Sequence, residues 1–175
     1  NGNATANAPV KAIGDGVVVR VGTNASTYRA VALIKHHLRK PFSTTVETFC
    51  SFYGHLDPDG FTVVNGQVVE QGQQIGTISP WSEIEPGSND SNSRLHAAII
   101  DEAWCDTLGT GQSAPCGYDQ EYTSYLDVER HDPTTAPFSY DSLGLPCQGK
   151  RFYSLSQFLV EYGEAKVCAK KSDCQ

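Results

Sequence analysis

The chain begins with small polar residues, Asn1 to Ala8, which carry no apolar pattern to bury and read as a flexible lead-in segment. Order is expected from Pro9 onward. Val10–Ile13, the turn Gly14-Asp15-Gly16 and Val17–Val21 read as strand, tight turn and strand, because glycine supplies positive φ between β-branched runs. Tyr28–His36 is nearly continuous in apolar residues, the mark of a strand buried on both faces. Beyond a loop at Pro41, Thr44–Leu56 is rich in Thr, Val, Phe and Tyr and pairs naturally with the preceding strand as a hairpin. Phe61–Ile78 alternates short β pieces with Asn-Gly and Gln-Gly turns. Ser79–Ser93 is a loop full of Pro, Gly, Ser, Asn and Asp, and Leu95–Ile100 returns as a strand.

The second half changes character. Asp101–Leu145 mixes aromatic, Gly, Pro and acidic residues without a period, and so long an irregular stretch needs cross-links to stay compact. Ser154–Lys166 carries the one convincing helix, with Ser154 or Ser156 as cap, an apolar stripe of Leu155, Phe158, Leu159 and Tyr162, and Gly163 at its fraying end. The predicted fold class is mainly β: an antiparallel, barrel-sandwich-like core with a disulfide-rich irregular C-terminal extension and one short helix. A length of 175 residues suits one core with a small appendage.

Charge narrows the partners. A formal net charge of −7 argues against nucleic acid, which demands a cationic footprint. The one basic cluster, Lys35–Lys40, reads as a solvated strand end, with His36 and His37 on the surface. The longest apolar run, Ala30–Ile34, is far too short to cross a bilayer, so no membrane insertion is expected. A chain that starts at Asn1 and contains no Met is what removal of a signal or pro-sequence, or excision of a fragment, leaves.

Cys50, Cys105, Cys116, Cys147, Cys168 and Cys174 include no C-x-x-C pair, which disfavours a zinc ribbon or a redox motif and leaves disulfides as the default. The sequence cannot choose among their connectivities. Close spacing favours Cys105 with Cys116 and Cys168 with Cys174, leaving Cys50 with Cys147. Such bridges imply an oxidising compartment. Sequons at Asn3, Asn24 and Asn89 fall in loop-like stretches and favour a secreted, extracellular glycoprotein.

Five segments carry a resemblance in their order: Pro9–Gly22, Val31–His37, Tyr53-Gly-His-Leu56, Gly66–Gly76 and Leu95-His96. They are similar to the lysostaphin-type (LytM-like) zinc metallopeptidases from Pro9 to about Ile100, and Asp132-Pro133 matches that family's closing Asp-Pro. The resemblance implies residues 9–137 as a peptidase-like β domain with loop insertions, after the lead-in 1–8 and before a disulfide-linked extension with a short helix, 138–175. It also implies a zinc endopeptidase acting on peptidoglycan cross-bridges. In that family a His and an Asp before the first strand and the second His of H-x-H hold the metal, while two further His assist a bound water. Three ligands with one open position let zinc lower the pKa of that water.

Carried over residue by residue, His55 matches the catalytic His of Y-x-H-L and His96 the metal-binding His of H-x-H. Arg94 stands where the first His of that motif belongs, and a guanidinium cannot replace imidazole as a base. No His or Asp precedes Pro9, and the matching Asp would fall near or before Asn1. The expectation is therefore a degenerate peptidase-like domain, a pseudoenzyme with no cofactor, acting as an extracellular binding or structural module. Its partner would be an extracellular protein, peptide or glycan, with assembly with other chains also open. The alternative is an active zinc endopeptidase cutting peptidoglycan or another Gly-rich peptide, with further ligands lying upstream.

Weaker candidates complete the reading. His131-Asp132 is adjacent in sequence, which is no evidence of geometry. Glu161 to Glu164 read as a solvated helix face. Trp81, Trp104, Tyr118, Tyr122 and Tyr125 suit either a groove or a core. No G-x-S-x-G nucleophile signature occurs. A carrier domain like the biotinyl or phosphotransferase folds, suggested by Gly72–Gly76, lacks the carrier lysine or phospho-histidine context.

Overall fold

The computed structural model describes residues 5–23, 28–84, 86–87, 93–102, 105, 152–153, 158 and 162–175. Among these, the strands in chain order are β1 (Pro9–Lys11), β2 (Gly16–Thr23), β3 (Ala30–Arg39), β4 (Glu47–Gly54), β5 (Val68–Val69), β6 (Gln74–Thr77), β7 (His96–Asp101), β8 (Phe152–Tyr153) and β9 (Lys166–Cys168). A short helix, α1 (Trp81–Ile84), and a 3-10 turn, Lys171–Cys174, complete them.

The mainly β, antiparallel architecture expected from the sequence is the one found. The principal sheet runs β5-β2-β3-β4-β7-β8, every neighbour antiparallel. At its centre is β3, which is buried without a break from Ala30 to Ile34 and then alternates. A strand that reads as continuously apolar is covered on both faces there, and it becomes one-sided where polar residues enter. β2 pairs with β3 only over Ala30–Lys35, and the remaining edge, His37–Arg39, is filled by β9. Gly16 makes the entrance to β2 possible, because a Cβ there would lie 2.6 Å from the Ile34 side chain and 2.7 Å from the Lys35 carbonyl.

Beside this sheet, β1 pairs not with β2, its neighbour across the Gly14–Gly16 turn, but with β6 in a separate two-stranded sheet. That exchange closes a core of Val10, Val18, Ala32, Ile34, Tyr53, Leu56, Val69, Ile75 and their neighbours. The Tyr53 phenol reaches through it to accept the Ile13 N–H at 3.0 Å. The described end of the lead-in segment is tied to the same layer: Asn7 N–H donates to the Ile78 carbonyl and Ile78 N–H to the Ala8 carbonyl.

A second cluster, Leu38, Phe49, Ile99 and Tyr162 with Phe158, Ala165 and Val167, attaches the C-terminal segment. The Tyr162 hydroxyl donates to Glu47 at 2.8 Å, and Lys40 lies 4.3 Å above its ring. Most of the helix expected over Ser154–Lys166 falls outside the described residues. Its last residue, Lys166, opens β9 instead, where main-chain pairing with Arg39 outweighs helix propensity.

Cys168 pairs with Cys174 as spacing suggested, but Cys50 pairs with Cys105, which corrects both the expected Cys105–Cys116 bridge and the Cys50–Cys147 remainder. The reason is sheet register. Cys50 faces Ile100 across β4 and β7, so a chain leaving β7 passes Cys105 over Cys50, with Cα atoms 5.6 Å apart. Cys116 and Cys147 lie outside the described residues, as do Asn3, Asn24, Asn89, Trp104, Tyr118, Tyr122, Tyr125, His131 and Asp132. No helix among the described residues is long and apolar enough to cross a membrane.

Candidate functional site

Register places the two family-matched histidines together. Gly54 of β4 is the partner of His96 of β7, so His55, one residue past Gly54, comes beside His96 with ring centroids 5.7 Å apart. Strand alternation puts His96 on the face that carries Phe52 and Cys50, opposite the face that packs on β1 and β6. Gly54 is needed here because a Cβ would lie 2.7 Å from the Tyr28 ring. That ring fills the space, packing edge-on to Phe52 at 5.4 Å and against His55 at 5.3 Å and His96 at 5.0 Å.

His55 adopts φ 61°, a left-handed conformation that side chains with a Cβ rarely take. Main-chain bonds enforce it: His55 N–H donates to the Tyr28 carbonyl at 3.0 Å, Leu56 N–H to Ala30 at 3.1 Å, and Ser79 N–H to the His55 carbonyl at 2.9 Å. The turn aims the imidazole along the sheet end toward Trp81, whose ring meets it at 5.4 Å and 72°.

The stretch Ser79–Ser93, read as a loop, contains α1 and supplies a residue that sequence reasoning left undecided, Trp81. Ser93 is buried, and its hydroxyl accepts the main-chain N–H of Trp81 at 2.9 Å, while its carbonyl accepts from Thr5 Oγ1. With Ser93 so anchored, the next residue, Arg94, lays its guanidinium over the Trp81 ring, 4.3 Å from the centroid. A second arginine at this end of the sheet, Arg29, bonds to Ser79 Oγ at 2.6 Å and forms an ion pair with Glu83.

Electrostatics follow from that packing. Burial, then the neighbouring His55 and the Arg94 guanidinium, hold the His96 pKa down at about 3. The imidazole is therefore uncharged at any ordinary pH. His55 Nδ1 and His96 Nε2 are both buried ring nitrogens. Elsewhere His36, expected at the surface, is 4% exposed. Its Nδ1 meets the Asp15 carbonyl at 2.8 Å and its Nε2 the Ser51 hydroxyl at 2.7 Å, so it is a hydrogen-bonded core residue far along β3. Burial lowers its pKa.

The family resemblance implies zinc, and the donor set can be tested against it. His55 and His96 offer two imidazoles, and the third nearby group is a guanidinium, which has no lone pair to give. Among the described residues no group of three or more His, Cys, Asp or Glu converges as a metal-binding set. The described residues do not fit a three-ligand zinc centre.

Comparison with known proteins places the fold in context. The sequence model of Peptidase family M23 matches residues 2–104, and the chain belongs to that family. The matched span ends at residue 104, before β8 and β9. No curated protein matches the chain. Among solved structures, the solution structure of lysostaphin is 21% identical over 56% of this chain and 34% of that one, with a TM-score of 0.41. The catalytic domain of the antimicrobial peptidase lysostaphin from Staphylococcus simulans, crystallized in the absence of phosphate, is 22% identical over 55% and 60%, with a TM-score of 0.38. A further structure of the antimicrobial peptidase lysostaphin from Staphylococcus simulans is 19% identical over 67% and 47%, with a TM-score of 0.40. The chain thus spans between a third and three fifths of those solved chains.

Proposed function

We propose that this M23-family domain binds at its His55–His96 site rather than cuts, and serves as an extracellular binding or structural module for a protein, peptide or glycan. The observation that carries the reading is Arg94 stacked on Trp81 at the position where the family motif calls for a second imidazole. A guanidinium stays protonated far above neutral pH, so it can neither take a proton from a water nor coordinate a cation. Its charge also opposes any cation brought to His96, which it already holds in the neutral form together with burial and His55. The disulfides Cys50–Cys105 and Cys168–Cys174 support an oxidising, extracellular setting.

One observation favours the other reading, an active zinc endopeptidase: His96 is uncharged and close to His55, the state in which an imidazole binds metal. The two are separated by clearing of a peptidoglycan suspension with the full natural chain, with and without a chelator. The binding module leaves the suspension turbid in both. Clearing that the chelator abolishes would establish the peptidase.

A further inference from the structure

We propose that Arg94, held flat on Trp81, is the receptor for a peptide carboxylate. The proposal rests on the reading that the site binds without cutting, and it names the chemistry of what is bound.

Three observations lead to it. First, the guanidinium is oriented in advance. Stacking on Trp81 at 4.3 Å occupies one face of the planar group and leaves its N–H edge as the direction from which an acceptor can approach. An arginine already immobilised loses less side-chain entropy when it binds. Second, its charge is uncompensated among the described residues. Arg29, at the same end of the sheet, is engaged by Glu83 and Ser79, whereas no described carboxylate lies within ion-pair distance of Arg94. Third, the wall beside it is aromatic: the His55 ring rests against Trp81 at 5.4 Å.

These features select a ligand class. A single guanidinium edge presents two parallel N–H donors, which match the two oxygens of one carboxylate. The net charge of −7 repels a dianion more than a monoanion, so a carboxylate is favoured over phosphate. The aromatic wall beside it suits the short apolar or backbone segment that accompanies a peptide carboxylate, and the exposed position of Arg94 leaves it open to solvent.

The test is an NMR titration of the whole chain, following the Trp81 indole N–H and the Arg94 Nε–H. The probes are N-acetyl-Ala-Ala with a free carboxylate, the same dipeptide as its C-terminal amide, and inorganic phosphate. Both signals are expected to shift saturably with the acid, and the amide to bind about tenfold or more weakly. Arg94→Lys keeps the charge but loses the fork and is expected to weaken the acid about fivefold or more, with an otherwise unchanged spectrum. Arg39→Gln, at the far end of the ten-residue strand β3, removes an equal charge about 30 Å away and is expected to bind as the unaltered chain does. Equal affinity for acid and amide, no saturable shift, or tighter binding of phosphate than of the acid would each overturn the proposal. The two claims fail separately: chelator-sensitive cleavage overturns the non-cutting reading, whereas the acid and amide comparison alone decides the carboxylate receptor.

Discussion

His55 and His96 meet because Gly54 and His96 are register partners at one end of the β4–β7 pair, which brings the two imidazoles to 5.7 Å between centroids. The scaffold therefore brings together the two histidines that the sequence matches to the family motifs. In the proposed reading, Arg94 and the lack of a three-ligand set among the described residues keep this pair from forming a zinc centre.

Replacing Arg94 tests its part in this. Arg94→His removes a positive charge beside His96 and adds a third imidazole donor. We expect the variant to bind zinc about tenfold or more tightly than the unaltered chain by calorimetry. Equal, negligible affinity in both would show that Arg94 is not what excludes the cation.

Ser93 fixes the Trp81–Arg94 geometry through its hydroxyl, which accepts the main-chain N–H of Trp81 at 2.9 Å. Ser93→Ala leaves that N–H without its acceptor and is expected to cost about 1 kcal/mol in chemical denaturation. The Trp81 indole signal should broaden or split at the same time. A variant with unchanged midpoint and indole signal would show that the bond does not hold the site.

The Cys50–Cys105 bridge ties β4 to a residue just past the end of β7 and closes a 55-residue interval. Its removal by Cys50→Ser with Cys105→Ser is expected to cost about 2–4 kcal/mol. Cys168–Cys174 spans only six residues, so its loss should cost less, mainly freeing β9 from β3. Thermal melts of the two double variants rank them, and the reverse order would contradict the assignment of the longer bridge as the main staple.

His36 gives the pH dependence. Burial lowers its pKa in the folded chain, opposed by the Asp15 carbonyl and carboxylate and reinforced by His37. The folded state therefore prefers the neutral ring, and the unfolded chain binds the proton more readily. Stability is complete above the unfolded value near 6.5 and falls as pH drops below it toward the lowered folded value. His96 is lowered in the same sense and adds to the loss. Denaturant midpoints at pH 7.5 and pH 5 should show the decline, and His36→Asn should flatten it. A midpoint that rises on acidification would contradict the buried neutral ring.

Much of this was legible in the sequence, and what was not has physical reasons. The hairpin of β3 and β4 and the return of β7 follow from apolar runs bounded by Gly and Pro, and the family segments fixed their order. The pairing of β1 with β6 is a choice of partner, which local propensity does not encode. His36 looked exposed because polar neighbours flank it. Its burial arises from Ser51 and Asp15, which the fold brings from 15 and 21 residues away. Spacing favours near neighbours for Cys50 and Cys105, whereas sheet register places Cys105 over Cys50. Trp81 reads equally as core or groove, and its place beside His55 and Arg94 depends on Ser93, 12 residues away.

The central claim, that the imidazoles of His55 and His96 beside a guanidinium hold no catalytic cation, is tested most directly by elemental analysis of the full natural chain. The protein is incubated with excess zinc and then desalted. The account predicts well under about one zinc for every ten chains. Retention near one zinc per chain, lost on changing His96→Ala, would contradict it.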